Sequence, residues 1–129
     1  MSSGLPLPSS RLIALAGAAL LAASVVASLV PAGWQVRLGL HWLVDHFLAY
    51  FAVSALLCLA WPRPMVVAAV LIPFAVLLEA LQGLTPDRVP DLATTLSAAT
   101  GVAVAALLAE LAITLRKRAQ ISAAAGRKA

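Results

Sequence analysis

Four apolar runs, each about as long as a bilayer is thick and separated by short turns, constrain this chain more than any other feature. The first covers residues 12–30, nineteen positions without a charge. At about 1.5 Å per residue it reaches about 28 Å, close to the hydrocarbon thickness of a membrane. The second, residues 42–61, is interrupted near its start by Asp45 and His46. The third, residues 65–84, carries Glu79, and the fourth, residues 92–115, carries Glu110. The connections, residues 31–41, 62–64 and 85–91, are too short to hold a second domain. The runs predict an all-α, polytopic membrane protein, a bundle of four transmembrane helices over residues 12–115. Composition agrees: 63% of the 129 residues are apolar and 11% charged, against about 45–50% and about 25% in a soluble domain. A surface that faces lipid does not need the missing polar coat.

Helix-breaking residues mark the predicted ends. Pro31 and Gly33 follow the first run, Pro62 and Pro64 bracket the second turn, and Pro86 and Pro90 frame the third loop. Pro73 lies inside the third run, which a membrane helix tolerates with a kink about one turn before Glu79. Trp34, Trp42 and Trp61 fall near run ends, where an indole ring favours the membrane–water interface.

Basic residues then orient the bundle. With four crossings, Arg11, Arg63, Arg116, Lys117, Arg118, Arg127 and Lys128 share one side, and only Arg37 and Arg88 share the other. The excess of Lys and Arg in cytoplasmic segments predicts a multi-pass protein of the cell (inner) membrane with both termini in the cytoplasm. Residues 1–11 then form a cytoplasmic arm, and residues 116–129 a disordered basic tail able to touch anionic lipid. This placement explains the formal charge of +4 and the pI of about 10.3 without nucleic acid. The first run also admits reading as a cleaved signal peptide. Its nineteen apolar residues exceed the usual core of about 7–15, and no clear cleavage site follows. Cys58, the single cysteine, excludes an intrachain disulfide and reads as a small buried hydrophobe.

The same topology gathers polar residues at one height. Asp45 and His46 lie near the outer end of the second run. Glu79 and Gln82 close the third, and Asp91 and Thr95 open the fourth, just after Arg88. His46 and Tyr50, four apart, share a helical face, as do Glu79 with Gln82 and Asp91 with Thr95. A charge at mid-membrane costs about 2.5–3.5 kcal/mol on insertion scales. Glu79 therefore needs a partner or a wet cavity, and Arg88 and His46 are the available partners. His41 reads as a solvated loop histidine. Glu110 reads as an end charge within reach of Thr114, Arg116 or Lys117. Ser97, Gly101, Ala105 and Ala109 recur every four residues, the spacing of small side chains that lets helices approach closely, and packing within the bundle is expected ahead of dimerisation.

His46-Phe47-Leu48-Ala49-Tyr50-Phe51, then Glu79-Ala80-Leu81-Gln82, then Arg88 followed by Asp91-Leu92-Ala93-Thr94-Thr95 resembles the VanZ-like family of small integral membrane proteins. Members carry an HF-x-x-YF stretch, an E-x-x-Q pair and an R-x-x-D element leading into a last helix. The resemblance covers about residues 41–105 in the family's order. The chain departs from the pattern where the family commonly has an Asp-Lys pair before the His, here Trp42 and Leu43. It departs again where an Asn and a Gly follow the last Asp, here Thr95 and Ala98. The resemblance implies a membrane-embedded helical domain. The family is named for a protein associated with resistance to the glycopeptide teicoplanin, and the resemblance implies no defined reaction.

Function follows from how the cluster is used. One reading is structural: polar side chains bond helix to helix, at about 0.6 kcal/mol per pair on average. The other is a pocket near the outer leaflet for a lipid-linked or polysaccharide precursor of the cell envelope. There His46 and Glu79 are the catalytic candidates, exchanging protons or hydrogen bonds, and Asp45, Tyr50, Gln82, Arg88, Asp91 and Thr95 are candidate ligand contacts. Arg88 would meet an anionic head group and Asp91 would orient it. His46, Glu79 and Asp91 form too sparse a set to predict a metal, and no cofactor motif is present. The rival class is a non-enzymatic scaffold or accessory subunit of an envelope complex. A transporter ranks last, because the chain is short and lacks a visible inverted repeat.

Overall fold

A computed structural model describes residues 8–34 and 39–129. It is helical throughout, with α1 at Pro8–Leu29, α2 at Trp42–Ala60, α3 at Pro64–Gln82 and α4 at Leu92–Lys128, plus a short 3-10 turn at Ala32–Trp34. All four α-helices are long and apolar enough to cross a membrane. The chain is a four-helix membrane protein, and the described residues contain no strand. Arg37, one of the two basic residues assigned to the far side, lies outside the described residues.

The helices alternate in direction. One end of the bundle collects the finish of α1, the start of α2, the finish of α3 and the start of α4, and is termed here the polar end. The opposite end holds Arg11, the Pro62–Pro64 turn and the emerging part of α4, and is termed the basic end. α2 is central, touching α1, α3 and α4, whereas α1 and α4 do not meet. The core is drawn from α2, α3 and α4: Tyr50, Val53 and Cys58 pack with Val67, Leu71 and Ala75 and with Ala98 and Val102. α1 is peripheral. Among its described side-chain positions only Gly17 is buried, against Leu56 and Leu57 of α2.

Close packing in lipid cannot draw on water exclusion, so contact quality decides it. The tightest seam joins α2 to α4. A Cβ added at Gly101 would sit 2.5 Å from the Phe47 carbonyl oxygen and 3.1 Å from the Phe51 nitrogen. Only a residue without a side chain permits that approach. One turn earlier the Ser97 hydroxyl donates to the Leu43 carbonyl. The small-residue series beginning at Ser97 thus faces α2 inside the bundle.

Several end assignments change. α1 begins at Pro8, so residues 8–11 of the expected N-terminal arm are already helical. Pro73 lies inside α3, as expected, and is exposed. α4 continues to Lys128, which replaces the expected disordered tail with helix. Ala, Arg, Lys and Gln dominate residues 116–128, and all favour helix. The thirty-seven residues of α4 span about 55 Å, well past a hydrocarbon core of about 30 Å. His41 is a helix cap, not only a solvated ring. Its Nδ1 accepts from the Leu43 N–H at 3.3 Å, and its ring stacks on Trp42 at 5.7 Å. Glu110 is exposed and makes neither of the contacts anticipated with Thr114 and the basic residues.

Candidate functional site

The polar end is organised by helix termini. The first N–H groups of a helix and its last carbonyls lack partners within the helix, and they give its ends partial positive and negative charge. α4 begins at Asp91, whose Oδ1 accepts from the Ala93 N–H at 3.0 Å. The Asp91 backbone N–H in turn donates to Glu79 Oε1 at 2.7 Å. Two carboxylates thereby share the positive end of one helix, and a charge-assisted bond holds the deeper one.

Gly83 makes that bond reachable. A Cβ there would lie 2.5 Å from Pro90 Cγ, so the bare glycine lets the loop fold back over the end of α3. The Thr85 hydroxyl fastens the same turn to the Gln82 carbonyl at 2.6 Å. Arg88 serves another terminus: its guanidinium donates to the Val30 carbonyl at 2.7 Å, just past the end of α1. A cation at a helix C-terminus is favoured for the reason an anion is favoured at an N-terminus.

These contacts correct the expected pairing. Among the described residues no ion pair forms, so neither Arg88 nor His46 is the partner of Glu79, and Asp91 does not orient Arg88. Backbone groups at helix ends take both roles. Sequence spacing between charged side chains gave no sign of this, because a helix-end dipole is carried by no side chain.

Beneath this layer lies a small polar pocket. Ser28 of α1, His46 and Tyr50 of α2, Glu79 and Gln82 of α3, and Thr94 and Thr95 of α4 line it, above a floor of Ala75, Leu78 and Ala98. Of the candidates, His46, Tyr50, Glu79, Gln82 and Thr95 therefore meet at one place. Asp45, Arg88 and Asp91 do not line it. Asp45 sits in the first turn of α2 with a buried Oδ1 that has no partner. Ser28 and Thr94 complete the pocket beyond the predicted set. Ser28 carries no sequence signal, since only the lateral packing of α1 brings it in. Thr94 is buried, and its hydroxyl donates to Asp91 Oδ2 at 3.4 Å.

Several groups around the pocket keep hydrogen-bonding capacity. His46 Nδ1 bonds the Trp42 carbonyl at 2.8 Å. A carbonyl only accepts, so Nδ1 carries the hydrogen and Nε2 is the nitrogen left over. Glu79 Oε2, the Tyr50 hydroxyl and the Gln82 amide bond no atom of the described residues, while Tyr50 and Gln82 are 8% and 7% exposed. The space between them is about 10 Å³, about what a single water occupies by that measure. The pocket in this conformation accepts one oxygen atom with its hydrogens, not a whole head group. The arrangement can bind and polarise one hydroxyl or water between an acceptor nitrogen, a carboxylate, a phenol and an amide. Ser54, one turn along from Tyr50, buries its hydroxyl without a partner, and nothing in the structure explains it.

Among the described residues no group of three or more His, Cys, Asp or Glu side chains is placed to hold a metal ion. No family model, curated protein or solved structure matches the chain.

Proposed function

We propose that the chain is a VanZ-like protein of the cell inner membrane that engages one polar group of a lipid-linked or polysaccharide envelope precursor at the outer leaflet. The observation that carries this reading is the convergence of His46, Tyr50, Glu79, Gln82 and Thr95 on one oxygen-sized space. Three helices contribute them from distant parts of the sequence. The family reading rests on the ordered residues alone. The outer-leaflet placement rests on the basic residues gathered at the opposite end, which favour the cytoplasm. In this role His46 Nε2 and Glu79 Oε2 accept protons or hydrogen bonds from a substrate hydroxyl, and Tyr50 and Gln82 donate to its oxygen. Most of the substrate stays in the surrounding lipid and head-group layer, because the pocket itself is too small to hold it.

Photo-crosslinking with a polyprenyl-phosphate probe tests the reading. Label is expected at the polar ends of α2, α3 and α4 and is expected to fall in Glu79→Gln and His46→Gln. Glu79→Gln suits the purpose because its amide oxygen still accepts the Asp91 N–H while the charge is gone. Labelling unchanged in both variants, or a 83–91 loop mapped to the cytoplasm by reporter fusions, overturns it.

A scaffold reading is favoured by a different observation: Arg88 and Asp91 are both engaged at helix ends. On that reading Glu79→Gln and Arg88→Ala lower folded yield and partner recovery together, with no separate loss of lipid labelling.

A further inference from the structure

The seam between α2 and α4 opens toward the basic end into a second, larger cavity. It measures about 290 Å³ and runs from Phe51 past Ala55 on α2 to Pro62 in the turn beyond it, and from Ala105 past Ala109 to Arg116 on α4. Small side chains contribute to it: where Gly101 lets the helices touch, Ala55, Ala105, Ala109 and Ala112 farther along line open space.

Its dimensions and chemistry point to one kind of occupant. Phe51 to Pro62 and Ala105 to Arg116 are each eleven residues apart, about 16 Å along a helix. That is about half of a hydrocarbon core about 30 Å thick, the depth of a single leaflet. The walls are apolar along this length, and their charged group is Arg116, at the mouth beside Pro62. Arg116 is exposed and forms no ion pair with a described residue. Trp61, 49% exposed, stands next to Pro62, where an indole marks the interface. Lys117 and Arg118 extend the positive field beyond it.

We infer that this cleft is a binding site for an anionic phospholipid of the leaflet at the basic end, with an acyl chain along α2 and α4 and its phosphate on Arg116. The inference is independent of the polar pocket and of which side of the membrane either end faces. A zwitterionic lipid offers the same phosphate, but its ammonium cancels the headgroup's net negative charge, so Arg116 and the cations beyond it favour the anionic lipid.

The test uses the full chain in detergent, titrated with phosphatidylglycerol or phosphatidylcholine and read by native mass spectrometry. Phosphatidylglycerol is expected to bind in preference. Arg116→Gln is expected to weaken phosphatidylglycerol binding about tenfold or more, as the loss of a charge-assisted hydrogen bond does, whereas Lys117→Gln, which removes only diffuse charge, is expected to weaken it by about fivefold or less. Ala109→Phe is expected to reduce retention of both lipids by filling the trough. Equal losses in Arg116→Gln and Lys117→Gln reduce the effect to the diffuse charge of the α4 extension and overturn the inference. In the wild-type chain, phosphatidylglycerol with a photoreactive acyl chain is expected to label residues 51–62 and 105–116. Label spread over the exposed face of α1, or crosslinks joining two copies through the cleft, overturns it without any variant.

Discussion

Toward the polar end, α2 and α4 approach until Gly101 has no room for a Cβ beside the Phe47 backbone, and the space left beyond is about 10 Å³. Toward the basic end the same two helices leave about 290 Å³. Both regions are built from small residues on α4, so residue size alone does not separate them. The difference is in what the termini require. At the polar end, orphan N–H and carbonyl groups of four helix ends demand partners, and Glu79 and Asp91 supply them for α4 and Arg88 for α1, drawing the loop and neighbouring helices together. At the basic end α4 simply continues beyond the membrane, so no terminus of it needs closing. A helix end in or near lipid is an organising centre in a way that a passing helix is not.

Substitutions can break this contrast, beginning with the largest effect. Gly101→Leu places a side chain against backbone that cannot move aside, and overpacking of this kind costs about 1–3 kcal/mol or more. Thermal unfolding in detergent is expected to show a loss at least that large, with little folded protein recovered. Glu79→Ala comes next. It leaves the Asp91 N–H without its acceptor, at about 1–3 kcal/mol for a buried donor, whereas Glu79→Gln is expected to recover most of that stability. Similar losses in the two variants would mean that charge, not the hydrogen bond, holds the end together.

Asp91→Ala removes the α4 cap and is expected to cost about 1 kcal/mol. Asp91→Asn, another strong capping residue, serves as the rescue. Arg88→Ala belongs to the same range, about 0.3–2 kcal/mol for a cation at a helix C-terminus, and hydrogen exchange is expected to rise in the last turn of α1 before it rises elsewhere. At the other end Ala112→Leu, at an exposed position lining the cleft, is expected to change stability by no more than about 0.5 kcal/mol, as surface substitutions do. A large loss there would show the cleft to be closed in solution and would erase the contrast between the two ends.

Much of the polar end was legible before any coordinates. Spacing of four put His46 and Tyr50 on one face, spacing of three did so for Glu79 and Gln82, and alternating crossings brought those faces to one height. The pairings were not legible. Glu79 was expected beside Arg88 or His46, and it bonds the backbone of Asp91 instead. Ser28 joined the pocket only because α1 lies against α2. Asp45, adjacent in sequence to His46, points off the shared face and stays outside. The basic stretch after Leu115 read as tail because it is polar, although its residues are good helix formers already attached to a helix.

The sequence by itself determined four crossings, their alternation and the gathering of ionisable groups at one end. Length and polarity relative to a bilayer fix these before any helix touches another. The tertiary structure alone decided which group answers which. It set Glu79 and Asp91 on the start of α4, Arg88 on the end of α1, one oxygen-sized space among the polar side chains, and an open trough a leaflet deep at the other end. Those outcomes depend on backbone dipoles and on how closely two helices approach, and neither is written in the identity of a residue considered alone.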